Sequence, residues 1–316
     1  MLKSYKPILI VSGDPKSIFL EIFFKALKKK KFKNPIILIV NREILKKQLK
    51  MLNFNFKLNE IKKDETNFHR IKKENINYIN IKFRNKFVNT YIEECFNCAL
   101  DLLKQNKNFH LINGPINKKN FLNNKYPGVT EYLGSKTKSL NKVIMLIYNK
   151  KVSVSPLTTH IPLKNVHKNI SKIKIIKHVK LLNTFYKSKL KSKPKIAITG
   201  LNPHCESNFF SSEEDRIIEP AIKYLKNKKF NVSGPFPADT IFLKKNIKNF
   251  DVIVGMYHDQ VLTPIKSIFG FDAINITIGL PFIRISPDHG PNVNMFGKNS
   301  SDPKSIIEAI KFLETK

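Results

Sequence analysis

The sequence predicts an α/β protein built on a largely parallel sheet with helices on both faces. Short apolar runs recur along the chain, and amphipathic stretches of helical length separate them. The side chains with most chemistry to offer follow apolar runs, where open α/β sheets bind their ligands. At 316 residues the chain can form one large unit or two packed subdomains.

In chain order, "PILIVS" (7–12) is the first predicted strand and the amphipathic "IFLEIFFKALKKK" the first helix. "PIILIV" (35–40) and "REILKKQLKML" repeat that alternation. Residues 56–75 are polar and irregular, and predict a surface excursion before the strand "INYINI" (76–81). In "VNTYIEECFNCALDLLK", Ile92, Cys95, Phe96, Ala99, Leu100 and Leu103 follow a helical stripe, which turns Cys95 and Cys98 toward a core. Strands follow at "FHLING" (109–114), "KVIMLIY" (142–148) and around 152, then the helix "SKIKIIKHVKLLNTFY". "KIAITG" (195–200), the helical "EEDRIIEPAIKYLKN", "DVIVGM" (251–256) and "AINITIG" (273–279) continue the pattern. The last helix, in "DPKSIIEAIKFLETK", has Asp302 as its N-cap and Pro303 at its first position.

Composition narrows the class. Hydrophobic residues make up 41% and charged residues 26%, as in soluble globular proteins. No run reaches the length of a membrane span, and the apolar stretch before Gly13 is too short for a signal-peptide core, so a cytoplasmic protein is expected. The net charge of +33 comes from lysines spread over nearly every polar segment. A nucleic-acid binder concentrates charge in a stripe with interleaved aromatics, so no specific nucleic-acid partner is expected. Three cysteines are too few for a disulfide framework.

Three histidines stand in the post-strand loops: His160 in "SPLTTHIPL", His204 in "GLNPHCE" and His258 in "GMYHDQ". Three imidazoles from separate loops suit a catalytic divalent metal, and each also suits an ordinary hydrogen-bonding role. Carboxylates lie nearby: Asp259 beside His258, Glu206 close to His204, and Asp239 in "GPFPADT". Such groups orient an imidazole, take a proton or cap a helix, in the case of Asp259 one beginning at Gln260. Lys118, Lys266 and Arg284 are candidate anion contacts, the arginine being suited to paired bonds with a carboxylate or phosphate. "SGDP" joins strand to helix with neither a G-x-G-x-x-G nor a P-loop, so a Rossmann fingerprint is absent.

Taken in order, "SGDP", "NGPINK", "GVTEYL", "TTHIPL", "GLNPHCE", "EEDRIIEPAI", "GPFPADT", "MYHDQVLTPIK", "INITIGLPFIRIS" and "DHG" resemble the 4-hydroxythreonine-4-phosphate dehydrogenase family of vitamin B6 biosynthesis. The resemblance runs from residue 12 to 290. It implies an isocitrate/isopropylmalate dehydrogenase-like fold, with two interleaved α/β subdomains flanking a cleft within one catalytic chain, residues 1–316. It also implies a homodimer with the active site near the subunit interface. The implied reaction is oxidation of 4-phosphohydroxy-L-threonine by NAD or NADP with a divalent metal (zinc, magnesium or cobalt). Loss of CO2 then gives 3-amino-2-oxopropyl phosphate. Carried residue by residue, the resemblance makes His160, His204 and His258 metal ligands and places Val129, Thr130, Lys266, Asn275 and Arg284 at substrate positions. Asp288, His289 and Gly290 resemble the nucleotide loop, and Asp239, Asp259 and Lys118 are the candidates for the proton-accepting group.

The chain departs from the family pattern in three places. "GDPxGIGPE" reads "GDPKSIFLE", which puts Phe19 and Leu20 where backbone approach is expected. "GHTE" reads "GVTE", so Val129 replaces a substrate-contacting histidine, and "DHGTAxDIAG" reads "DHGPNVNMFG". Val129 keeps open a sister substrate, a four-carbon sugar-acid phosphate such as threonate or erythronate 4-phosphate. The charge and the altered nucleotide loops raise a further alternative, a basic polyanion-binding protein on an enzyme fold.

Overall fold

The computed structural model describes residues 6–63, 71–83, 87–117, 125–205, 212–270, 273–287 and 290–314. The chain forms two compact units, Met1–Tyr126 with Pro281–Lys316, and Pro127–Leu280. The strands of the first unit are β1 (Ile8–Val11), β2 (Ile36–Val40), β3 (Leu58–Glu60), β4 (Ile76–Asn80) and β5 (His110–Asn113). The second unit carries β6 (Ile144–Tyr148), β7 (Ser153–Pro156), β8 (Ile196–Thr199), β9 (Val232–Phe236), β10 (Val252–Gly255) and β11 (Ile274–Ile278). The chain then returns to the first unit with β12 (Arg284–Pro287).

In the first unit the order is β3-β4-β2-β1-β5-β12, and every pair is parallel. Parallel sheets survive only when both faces are covered, which is why β1 reads as an unbroken apolar run and is wholly buried. Its helices are α1 (Phe19–Lys29), α2 (Arg42–Met51), α3 (Val88–Gln105) and, at the C-terminal end, a helix over Lys304–Glu314. Asn41 caps α2 through bonds from the amides of Glu43 and Ile44, and Asp302 accepts from Lys304 at the start of the last helix. Cys95 and Cys98 are buried on α3; burial raises the Cys98 thiol to about 11 and pushes Cys95 up further, so both stay protonated.

Phe19 and Leu20 point inward. Phe19 is fully buried and stacks on Phe23 at 6.5 Å, and a Cβ on Gly114 would lie 2.7 Å from its ring. The surface excursion expected over 56–75 is corrected in part: residues 58–60 form β3, pairing Leu58 with Ile76. Three partly exposed residues at a sheet edge need no apolar run, so the pattern hid the strand.

The second unit has the order β11-β6-β7-β10-β8-β9. Here β7, β10, β8 and β9 are parallel, whereas β6 runs antiparallel to both β11 and β7. The connection from β6 to β7 spans only 149–152, too short for a parallel crossover, and Asn149 closes it by accepting from the Lys151 amide at 2.9 Å. The unit's helices are α4 (Val129–Lys136), α5 (Lys172–Phe185), α6 (Glu219–Asn227), α7 (Lys244–Ile247) and α8 (His258–Phe269); the C-terminal helix of the first unit is therefore α9. Val261, Leu262 and Ile265 of α8 pack on Val154 and Ile253 in one continuous core. Among the described residues no helix is long and apolar enough to cross a membrane.

Candidate active site

Strands β7, β10 and β8 lie side by side and parallel, so their C-terminal ends are neighbours. His160 stands four residues beyond β7, His258 three beyond β10 and His204 five beyond β8. Two of the three have left-handed backbone, His160 at φ 52° and His204 at φ 60°, and Cys205 at φ 58° follows suit. Such residues cost about 1–3 kcal/mol each and concentrate where a site imposes its geometry.

The rings of His160 and His258 lie 5.9 Å apart, centre to centre. Nδ1 of His258 meets Oδ1 of Asp259 at 2.6 Å, which leaves Nε2 as its outward donor atom. Oε1 of Glu131 lies 3.9 Å from Nδ1 of His160 and accepts from the Thr159 hydroxyl at 3.3 Å. Burial raises the Glu131 carboxyl, but His160, its own amide and Thr159 together hold it below the usual range, so it is ionised. Gly128 makes this packing possible: a Cβ there would lie 2.7 Å from Oε2 of Glu131 and 2.9 Å from the His160 ring. His204 sits exposed on the Pro203–Cys205 turn. Among the described residues no three His, Cys, Asp or Glu side chains gather closely enough to hold a metal ion. The fold thus brings two of the three expected imidazoles together and holds the third on the neighbouring strand end. Glu206 lies outside the described residues.

Side chains that sequence reasoning passed over hold these turns. The Gln260 amide accepts from the Met256 amide (2.7 Å) and the Thr199 hydroxyl (2.9 Å), and donates to the Gly200 carbonyl (2.8 Å). Thr158 donates to the Met256 carbonyl at 2.7 Å. Glu214 accepts from the amides of Leu201 (2.6 Å) and Asn202 (2.9 Å) and from the Asn202 side chain (2.8 Å), which fixes the turn leading to His204. A Gln three residues after the N-cap, reaching back to the main chain, is a known helix-start pattern and is the signal that could have found Gln260. The expected cap is corrected accordingly: Tyr257, not Asp259, is the N-cap of α8. Asp259 lies in the first turn, where its charge suits the helix dipole while its carboxylate serves His258.

The remaining candidates fall in both units. In the second unit, Val129 opens α4 and Thr130 is buried beside Thr277, hydroxyl to hydroxyl at 3.3 Å. Asn275 on β11 has a buried Oδ1 without a hydrogen-bond partner among the described residues, a group that costs about 1–3 kcal/mol until a donor reaches it. Lys266 is exposed on α8, and Asp239 is exposed on the turn after β9. In the first unit, buried Arg284 donates from Nε to Oδ1 of Asn113 at 2.7 Å, which fixes its guanidinium plane, and Gly290 is exposed. Lys118, Asp288 and His289 lie outside the described residues. A cavity of about 460 Å³ in the second unit is lined by Thr130, Glu131, Thr159, His160, Lys174 and His178, large enough for a small metabolite.

The donor set fits a divalent ion at the histidine pair. Two imidazoles bound to one ion at about 2.0–2.1 Å bring their ring centres to within roughly 6 Å, and those of His160 and His258 lie 5.9 Å apart. The Asp259 bond fixes which nitrogen of His258 faces it.

Comparison with known proteins bears on the family and the fold. The family model "Pyridoxal phosphate biosynthetic protein PdxA" matches residues 31–313. A 4-hydroxythreonine-4-phosphate dehydrogenase of Sulfurihydrogenibium sp. (strain YO3AOP1) is 38% identical over 320 residues, covering 96% of either chain. A D-threonate 4-phosphate dehydrogenase of Salmonella typhimurium is 36% identical over 220 residues, 69% of this chain and 67% of that one. The solved 4-hydroxythreonine-4-phosphate dehydrogenase of Klebsiella pneumoniae superposes with a TM-score of 0.82 at 27% identity, covering 98% of this chain and all of the other. Isocitrate dehydrogenase from Methylococcus capsulatus shares the fold alone, with a TM-score of 0.52 at 12% identity over 96% and 83% of the two chains.

Proposed function

Because the chain belongs to the pyridoxal phosphate biosynthetic protein PdxA family, we propose that it oxidises 4-phosphohydroxy-L-threonine with NAD or NADP and releases CO2 to form 3-amino-2-oxopropyl phosphate. A dehydrogenase of this family implies a nicotinamide cofactor and a divalent metal. The observation that carries the reading is the His160–His258 pair at 5.9 Å on neighbouring strand ends. His160, His258 and His204 are the proposed ligands of a zinc, magnesium or cobalt ion. A divalent ion held there would supply Lewis acidity to the substrate hydroxyl, and a bound nicotinamide would supply the hydride acceptor.

The chain's own residues do the rest. Thr130 and Asn275 hold the polar end of the substrate, the buried Asn275 carbonyl accepting from it. Lys266 and Arg284 are the proposed anion contacts, each within its own unit; Arg284 is pre-oriented by Asn113 and loses little freedom on binding an anion. Asp259 is committed to His258, which leaves Asp239 and Lys118 as proton acceptors for the hydroxyl. Asp288, His289 and Gly290 form the proposed nucleotide loop. The reading includes a homodimer with the active site near the subunit interface.

The test is reduced-cofactor formation from 4-phosphohydroxy-L-threonine by metal-free protein with zinc, magnesium or cobalt restored, alongside His204→Ala. Metal-dependent turnover that the variant loses supports the reading. Val129 favours a second reading, D-threonate 4-phosphate as substrate, and a higher kcat/KM for the sugar acid would replace the first assignment by it.

A further inference from the structure

We infer that Gln260 is a positioning residue for the metal-binding histidines, locking together the strand ends that carry all three of them. The inference rests on the metal-site reading above. Gln260 lies in the first turn of α8, two residues after His258, and is 9% exposed. Its carboxamide makes three bonds of 2.7–2.9 Å, two accepted and one donated, all to groups at the C-terminal ends of β8 and β10. From Gly200, whose carbonyl it holds, the chain runs only four residues to His204. From Met256, whose amide it holds, the chain runs two residues to His258. The Met256 carbonyl receives the Thr158 hydroxyl, and Thr158 is two residues from His160. The series Thr158–Met256–Gln260–Thr199/Gly200 therefore crosses β7, β10 and β8 and ends next to each histidine.

A space-filling role would not need this chemistry. Leucine occupies a similar volume but would leave a buried amide, a buried carbonyl and the Thr199 hydroxyl without their bonds. Packing is already close here: a Cβ on Gly255 would lie 2.4 Å from Val261 and 3.1 Å from Oε1 of Gln260. The length of the side chain matters as much as its amide. Asparagine, one methylene shorter, cannot reach both strand ends from the helix.

Metal-free protein is titrated with Co²⁺ and followed by its visible absorption, in wild type, Gln260→Leu, Gln260→Asn and Thr199→Val. Far-ultraviolet circular dichroism and size confirm the fold. Gln260→Leu and Gln260→Asn are expected to bind Co²⁺ roughly 10–100-fold more weakly, with shifted bands, as for losses of supporting contacts at metal sites. Thr199→Val, which removes one of the three bonds, is expected to fall between them and wild type. Wild-type affinity and bands in both Gln260 variants would overturn the inference and reduce Gln260 to packing. If Gln260→Leu does not fold, Gln260→Asn and Thr199→Val decide in the same way. His160→Ala and His258→Ala run in parallel: if they bind Co²⁺ as wild type does, the metal reading itself fails, and this inference with it.

Discussion

The main-chain amide of Ile18 donates to the carbonyl of Pro291 at 3.1 Å. Two segments that depart from the family pattern, 17–20 and 291–294, therefore meet within the first unit. Lost glycines at 17–20 do not put bulk into solvent, because Phe19 and Leu20 turn into the core and Ile18 reaches across to Pro291. The bulk introduced at 17–20 is thus taken up by packing within the first unit.

Phe19 should accordingly behave as a core residue. It is fully buried, stacked on Phe23 and pressed against Gly114. Phe19→Ala is expected to destabilise the protein by about 3–5 kcal/mol, and Phe19→Leu by much less. Urea unfolding measures both. An alanine variant as stable as wild type would show that the ring does not support this unit.

Asp259 should matter through His258. Its carboxylate lies 2.6 Å from Nδ1, so Asp259→Ala frees the ring to rotate and removes the charge behind it. A loss of about 10–100-fold in divalent-metal affinity is expected, with Asp259→Asn retaining part of it because its carbonyl still accepts from Nδ1–H. Competition against a chromophoric chelator reads the affinity directly. Equal affinity in Asp259→Ala and wild type would remove this carboxylate from the site.

Much of the fold was legible because buried parallel strands are continuous apolar runs, as β1, β2 and β10 are. The strands that escaped have different composition: β3 is "LNE" at a sheet edge, β9 contains the Gly234–Pro235 step, and β12 begins at a buried arginine. The site was legible where topology alone decides it, since a histidine just after a strand in a parallel sheet must lie at the ligand-binding end. What stayed hidden needed coordinates. No spacing says that the rings of His160 and His258 lie 5.9 Å apart. Gln260 and Glu214 look like ordinary polar residues of helical segments until their bonds to distant main chain are seen.

Glu214 links the His204 turn to pH. Burial raises its carboxyl, but bonds from the Asn202 amide and side chain and from the Leu201 amide outweigh that and hold it below the usual range. A lowered carboxyl contributes stability above its unfolded pKa, and that contribution is lost as pH falls through the folded one. Glu214→Gln keeps the shape and removes the charge. Its stability is expected to depend less on pH than the wild type's below about pH 4.5, with weaker metal binding at neutral pH as the turn loosens. Acid unfolding curves of the same shape for both proteins would contradict this.

His178 should dominate the pH dependence of stability closer to neutrality. It is buried on α5, and Nε2 lies 2.6 Å from the Ser155 hydroxyl. That hydroxyl donates to the Met145 carbonyl, so its oxygen accepts from Nε2–H of a neutral imidazole. Burial first, and the Lys174 ammonium second, lower the His178 pKa from 6.5 to about 3. The folded pKa lies below the unfolded one, so the unfolded chain binds the extra proton between them. Stability is full above pH 6.5 and falls as pH drops toward 3. At pH 5 the loss amounts to about 2 kcal/mol, at 1.36 kcal/mol for each pH unit below the unfolded pKa. His178→Leu removes the proton-binding group and leaves the Ser155–Met145 bond in place. Between pH 7 and pH 5 the wild type should therefore lose about 2 kcal/mol more than this variant in urea unfolding. Parallel losses in the two proteins would mean that the folded state accommodates a charged His178, and the buried neutral imidazole would have to be abandoned.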